Sequence, residues 1–279
     1  MQRKIRSVFV SDTHLGSKFA QTDFLLDFMK WVDKQRPEKF YIVGDFIDGW
    51  KLQKNWHWDK SCNLILRKIF SMLKHDTEVF YVAGNHDEFL RCFLEEMNGV
   101  NFAGLKIADE FIHIRPNGKR FLVIHGDQFD TAIRYAMKYT HFLCNLGDWT
   151  YDWLIRSNQM VNWFRKKLGF PYWSFSKAIK HQFKNAMKYI GGFEEILVNY
   201  ANERECQGVV CGHIHKCCIH EMENILYVNC GDWVESHTAI IEYDDGELVI
   251  FDYSERIVGG SIHEDDELED LELQETVLQ

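Results

Sequence analysis

Three short apolar runs in the first hundred residues, 8–10, 40–43 and 79–82, do most to limit how this chain can fold. Each is too short for a helix and rich in Val, Ile, Phe and Tyr, which reads as a buried strand. Between the first two, Phe24, Phe28, Trp31 and Val32 recur as one helix face that stops before Pro37. Between the second and third, Leu64, Ile65, Lys68, Ile69 and Leu73 do the same. Strand, helix, strand, helix, strand predicts a parallel α/β start, because parallel neighbours need a crossover connection. In such sheets functional side chains collect just past the strand C-termini. Polar clusters stand at those three places: Asp12-Thr13-His14, Gly44-Asp45 and Gly84-Asn85-His86-Asp87.

From about 107 to 124 the pattern becomes hairpin-like, with Asn117-Gly118 between the runs 111–114 and 121–124. Strand-like runs resume at 209–211, 225–228, 238–243 and 248–251, and Asp245-Gly246 makes the last turn. Between these β regions lies a helical stretch, about 130–204, with one proline, Pro171. From 131 to 190 it carries ten Lys or Arg against two Asp, and fourteen aromatics, inside a chain of formal charge −10. Residues 261–279 invert that balance, with eight acidic residues and no Lys or Arg, which predicts a disordered acidic tail.

A chain of 279 residues with 46% hydrophobic content can build one sizeable core without a second domain. Its acidity argues against general attraction to nucleic acid, and no run approaches the eighteen apolar residues of a membrane span. Eight cysteines without a CxxC pair predict reduced thiols in a cytoplasmic protein. Cys217 and Cys218, although beside histidines, read as an ordinary strand rather than a soft-metal site.

Two further clusters follow strand-like runs, His125-Gly126-Asp127 and Gly212-His213-Ile214-His215. Imidazole nitrogens with carboxylate and amide oxygens suit Mn²⁺, Fe²⁺ or Zn²⁺. In an extended segment residues two apart point the same way, so Asp12 and His14 can face one metal, and His213 and His215 a common site. Asp45, with two oxygens, suits a bridge between two ions about 3.5–4 Å apart. A water held there would be ionised near neutral pH and aimed at phosphorus. Asp127 reads as a turn brace or an outer support rather than a direct ligand.

The ordered set DxH, GD, GNHD, HGD and GHxH resembles the calcineurin-like metallophosphoesterases over about residues 5–253. The resemblance implies an α/β (α+β) fold, a two-sheet β-sandwich flanked by helices. Its domain would span 1–260, with a helical cap insert at 130–204, before the tail at 261–279. It further implies that one ion takes Asp12, His14 and His215, the other Asn85, His125 and His213, with Asp45 bridging. Manganese is the first expectation, with iron or zinc as alternatives. His86 would contact the scissile phosphate, with Asp87 orienting its ring.

More narrowly, the chain is similar to the UDP-2,3-diacylglucosamine diphosphatases of lipid A synthesis. The shared features are Gly44-Asp45-Phe46-Ile47-Asp48-Gly49-Trp50, the helical insert and a late Gly231-Asp232-Trp233. Those enzymes cleave a nucleotide-linked pyrophosphate, releasing UMP and a lipid-bearing sugar phosphate beneath the insert. In this insert Arg165, Lys166, Lys177, Lys180 and Lys184 would meet phosphates or an anionic leaflet, and Trp149, Trp153, Trp163 and Trp173 would offer apolar surface. That places the protein in the cytoplasm, peripheral at the inner membrane, acting on a phosphate-bearing small molecule or lipid. One departure stands out: this chain has His86 where those enzymes carry arginine, which leaves room for a sister branch with another substrate. The competing readings are a DNA nuclease, which shares GD and GNHD, and a non-catalytic binding module. Oligomeric state stays open.

Overall fold

The computed structural model describes residues 3–97, 99–129 and 190–253. Two mixed sheets pack face to face. The first holds β1 (Ile5–Val10), β2 (Lys39–Val43), β3 (Glu78–Val82), β4 (Val100–Phe102), β5 (Leu105–Ala108), β11 (Thr238–Tyr243) and β12 (Leu248–Asp252). Its order is β12-β11-β1-β2-β3-β5-β4, with β1, β2, β3 and β5 mutually parallel. The second holds β6 (Glu110–Ile114), β7 (Arg120–Ile124), β8 (Gly208–Cys211), β9 (Cys218–Met222) and β10 (Ile225–Asn229), in the order β6-β7-β8-β10-β9.

The apolar runs are continuous because these strands are buried on both faces. In β2, Phe40 and Ile42 face the helices α1 (Thr22–Gln35) and α3 (Lys60–Lys74), while Tyr41 and Val43 face the other sheet. Val8 and Val10 in β1, and Val79 and Tyr81 in β3, repeat the helix-facing set. From the second sheet Phe121, Val123, Val210 and Val228 complete the layer between the sheets. On its outer face Leu122, Ile124, Val209 and Tyr227 pack against Phe193, Leu197, Val198 and Ala201. Those four belong to a helix over 190–203, numbered α5 below, which follows the short α2 (Gly49–Lys54) and α4 (Glu88–Met97). Helix, sheet, sheet, helix is the layering expected from the sequence. Each fully buried Phe, Leu, Ile or Val contributes about 1.5–3 kcal/mol to that packing.

One detail differs from the sequence reading. Residues 105–108 belong to the first sheet as β5, parallel to β3, so the hairpin proper is β6–β7 alone. Its turn runs from Arg115 to Lys119, closed by Arg115 N–H to the Lys119 carbonyl at 3.0 Å. Residues 130–189, most of the expected cap insert, and the tail lie outside the described residues. So do Arg165, Lys166, Lys177, Lys180 and Lys184.

Candidate active site

The parallel strands carry the site at their C-terminal ends. Asp12 and His14 follow β1, Asp45 follows β2 and the 84–87 turn follows β3. His125 follows β7, and His213 and His215 follow β8. The two sheets are stitched together here by direct bonds. The His213 amide donates to Asp12 Oδ2 at 2.9 Å, and the His125 ring bonds the Val43 carbonyl through Nδ1 at 2.9 Å.

Convergence comes from kinks, not from strand alternation. Asp12, His14, Asp45, His213 and His215 have φ values of 52°, 48°, 51°, 71° and 53°. Non-glycine residues rarely hold this left-handed region, which costs of order 1–3 kcal/mol each and clusters at functional sites. The expectation that Asp12 and His14 share a direction because the segment is extended is therefore corrected: they meet because each turns left-handed. Two glycines allow the close approach. A Cβ on Gly84 would strike Asp45 Oδ1 and its amide, and one on Gly212 would strike Ser11 Oγ and Asp12 Oδ2.

The resulting cluster is dense in charge and short of partners. His215 Nε2 lies 3.2 Å from Asp12 Oδ1, His125 Nε2 3.4 Å from Asp45 Oδ1, and His14 Nε2 3.8 Å from Asp45 Oδ2. The His213 ring is 5.1 Å from that of His125. Asn85, His86, His213 and His215 line a cleft of about 680 Å³ together with His14, Asp45 and Asp48. Asp12 Oδ1, His14 Nε2, Asn85 Oδ1 and His125 Nε2 are all buried without a hydrogen-bond partner. Among the described residues nine side-chain atoms share that condition, so nearly half of them gather at this one point. Buried polar atoms are normally paired, and four lone pairs left aimed together fit a cation. His125 strengthens the case, since its Nδ1 bond to a carbonyl leaves Nε2 as a lone-pair donor, the arrangement of metal-binding imidazoles.

Electrostatics agree. Burial is the largest single influence on His125 and opposes its charge, yet Asp45, Asp12 and Asp127 lift it to about 10. His215 is likewise raised to about 9, against burial, by Asp12, Asp232 and Asp45. Burial would raise Asp12 and Asp45, but the surrounding imidazoles hold both below the usual carboxylate range. The carboxylates thus call for positive charge, which protons or cations can supply.

Asp87 does not orient His86. Its carboxylate is fully buried and accepts from the amides of Phe46, Ile47 and Gly84 and from Tyr81 Oη at 2.7–3.3 Å, so it ties the β2 and β3 loops together. Burial and the Asp45 charge push it up to about 6. The partner of His86 is Asp48, whose Oδ1 lies 2.9 Å from Nδ1. Asp48 Oδ2 also lies 3.6 Å from His14 Nδ1, so one carboxylate addresses two imidazoles. Burial would raise Asp48, but His14, His86 and the Lys51 amide hold it below the usual range. Sequence reasoning missed this role because Asp48 also caps α2, a sufficient reason for an aspartate there. Trp50, whose ring lies 4.3 Å from His86, was also missed. Asp127 pairs with both terminal nitrogens of Arg91 at 2.6 and 2.8 Å, the bracing role expected.

A sequence model described as calcineurin-like phosphoesterase matches residues 5–217. The chain belongs to the calcineurin-like phosphoesterase family. It is a metal-dependent phosphoesterase, and the described His and Asp clusters have the geometry to hold divalent ions. Among curated relatives of this phosphoesterase are UDP-2,3-diacylglucosamine hydrolases. Those of Psychromonas ingrahamii and Neisseria gonorrhoeae are 23% and 25% identical, each match covering 88% of this chain and 97% of the relative. That of Porphyromonas gingivalis is 23% identical over 87% of this chain and 95% of its own. Among solved structures, an archaeal phosphodiesterase is 12% identical, covers 88% of this chain and 98% of its own, and has a TM-score of 0.43. No helix among the described residues is long and apolar enough to cross a membrane.

Proposed function

We propose that this phosphoesterase hydrolyses the pyrophosphate of a lipid-bearing nucleotide sugar, as the names of its curated relatives suggest. The observation that carries the hydrolytic part is the set of four unpartnered buried atoms on Asp12, His14, Asn85 and His125. Asp12, His14 and His215 would hold one divalent ion, and Asn85, His125 and His213 the other, with Asp45 between them. Manganese is the proposed ion. Bound there, the ions would supply Lewis-acid charge and an ionised water beside the phosphoryl group.

The chain's own residues have separate tasks. The ionised Asp48 accepts a hydrogen bond from His86 Nδ1–H and favours the protonated imidazole, whose Nε2–H faces the cleft, 3.9 Å from Asp45 Oδ2. From there His86 donates a hydrogen bond to a phosphoryl oxygen or protonates the departing phosphate oxygen. Lys18 and Lys51 at the cleft edge would neutralise the remaining phosphate charge. The exposed Phe19 and the Trp50 ring offer flat apolar surface to a base or sugar. The cap insert, with Arg165, Lys166, Lys177, Lys180 and Lys184, would cover the acyl chains at a cytoplasmic membrane face.

The test is release of UMP from UDP-2,3-diacylglucosamine by the manganese-loaded protein, beside hydrolysis of bis-p-nitrophenyl phosphate. UMP release supports the whole reading. Turnover of the generic ester without UMP release keeps the phosphoesterase and favours a sister branch, the reading that His86 in place of arginine supports. No turnover of either would sink both.

A further inference from the structure

Among the described residues, four groups of His, Cys, Asp and Glu bring ligand-type atoms within 4.8 Å of one another. Three share the active-site residues, and the fourth, Glu194 with Cys218 and His220, belongs to different elements. Glu194 projects from α5. Cys218 and His220 are two residues apart on β9, hence on one face of that edge strand. Their register opposite Asn229 and Tyr227 is fixed by β10, and the Tyr227 ring lies 5.1 Å from the imidazole.

Glu194 is the informative member. It is only 7% exposed, although a glutamate on a surface helix can ordinarily swing to water. Its Oε2 lies 3.3 Å from His220 Nε2, while its Oε1 is buried without any hydrogen-bond partner. The Lys216 ammonium, 4.0 Å from Oε1, is beyond hydrogen-bond reach. A buried carboxylate oxygen that no hydrogen bond reaches is costly, and its ion pair with Lys216 is long, so a cation seated closer would stabilise it there. An oxygen, a nitrogen and a sulfur donor converge on it.

We propose that Glu194, Cys218 and His220 form a second cation site, separate from the catalytic one, that takes zinc or an ion of similar borderline softness. One carboxylate, one imidazole and one thiolate are typical zinc donors, and three of them leave a fourth tetrahedral place for water. The active site offers only nitrogen and oxygen among its described donors, so the two sites would select different ions. Such an ion would pin α5 to β9. The same helix sets Phe193 5.8 Å from the His213 ring and against Gly126.

The metal-stripped full-length protein, titrated with Co²⁺, tests this without relying on turnover. Wild type and Cys217→Ser are expected to develop a thiolate-to-cobalt charge-transfer band that zinc abolishes. Cys218→Ser should lack the band while manganese-supported hydrolysis of bis-p-nitrophenyl phosphate stays near wild type. Glu194→Gln, which keeps size and thiol, should weaken cobalt binding about tenfold or more. No band in wild type, or a band that persists in Cys218→Ser, overturns the proposal. Should Cys218→Ser fail to fold, Glu194→Gln decides, and unchanged cobalt affinity in it overturns the proposal equally.

Discussion

Two of the buried polar clusters among the described residues are built on opposite principles. Between the sheets, Glu242 of β11 accepts from Ser7 Oγ at 3.1 Å, His113 Nε2 at 2.7 Å and Arg115 Nε at 2.9 Å. His113 Nδ1 meets Tyr41 Oη at 3.1 Å, and the Arg115 guanidinium also bonds the Gly246 carbonyl and covers the Phe121 ring. Burial would raise Glu242, but His113 and Arg115 hold its carboxyl below the ordinary range. Apart from Gly246, a turn glycine that lends only its carbonyl, none of these residues is in the left-handed region, and none has an orphaned atom. The active-site cluster has five left-handed residues and four orphans. A closed network joins two sheets and needs nothing more; an open, strained one is held in place by the fold for a ligand still to come.

The contrast sets the size and kind of each mutational effect. Asp45→Asn removes the carboxylate that lies 3.8 Å from His14 and 3.4 Å from His125, and should cost several kcal/mol of transition-state stabilisation, about a thousandfold in kcat on bis-p-nitrophenyl phosphate. Its melting temperature in EDTA should move little near pH 10, where the imidazoles of His125 and His215 give up their protons. Glu242→Ala should do the reverse. Leaving Arg115 and His113 buried without their acceptor costs about 3–5 kcal/mol, or about 10 °C in melting temperature for a chain of this size. Its kcat, measured well below that melting point, should stay near wild type. Equal stability losses in the two variants would erase the distinction.

A finer division runs through Asp48 and Asp87, neighbours that differ in what they hold. Asp48→Asn should lower kcat about 10–100-fold, because it frees the imidazoles of His86 and His14. Combined with His86→Ala it should lose less than the product of the two single effects, since the residues act as a unit. Asp87→Asn, which disturbs the amides of Phe46, Ile47 and Gly84, should show mainly in stability. Full additivity of Asp48→Asn with His86→Ala would return Asp48 to its capping role alone.

What the sequence discloses follows the same physics. The strands β1, β2, β3, β7 and β10 are legible because burial on both faces makes them unbroken apolar runs. The edge strands β4 and β9, and β5 beside β4, are hard to read, as Asn101, Lys106, His220 and Glu221 interrupt them where one face meets solvent or a helix. The ligand types are legible in DxH, GD, GNHD, HGD and GHxH, because the chemistry needs those donors. Their geometry is not, since a left-handed φ at Asp12 or His215 comes from the packing of two sheets that residue types do not display. Asp48 stays hidden for a related reason. A helix cap already explains it, and only the fold brings His14 and His86 to the same carboxylate.

The smallest effect expected is also the most direct measure of the open cluster's appetite for charge. His125 and His215 are raised from 6.5 to about 10 and about 9 by the carboxylates around them. A histidine whose folded value exceeds its unfolded one adds stability that is fully present below 6.5 and lost as pH rises through the folded value. Metal-stripped protein should therefore melt progressively lower from pH 6.5 to pH 10. Divalent ions compete with those protons, so they bind weakly at pH 6.5 and more tightly as the imidazoles give their protons up. The gap between melting temperatures in Mn²⁺ and in EDTA should consequently widen with pH, by a few degrees across that range. In Glu242→Ala, whose closed network lies away from those histidines, the widening should survive intact. In a His125→Gln, His215→Gln double variant it should vanish, and a gap that widens there as in wild type would locate the titrating charge somewhere other than this cluster.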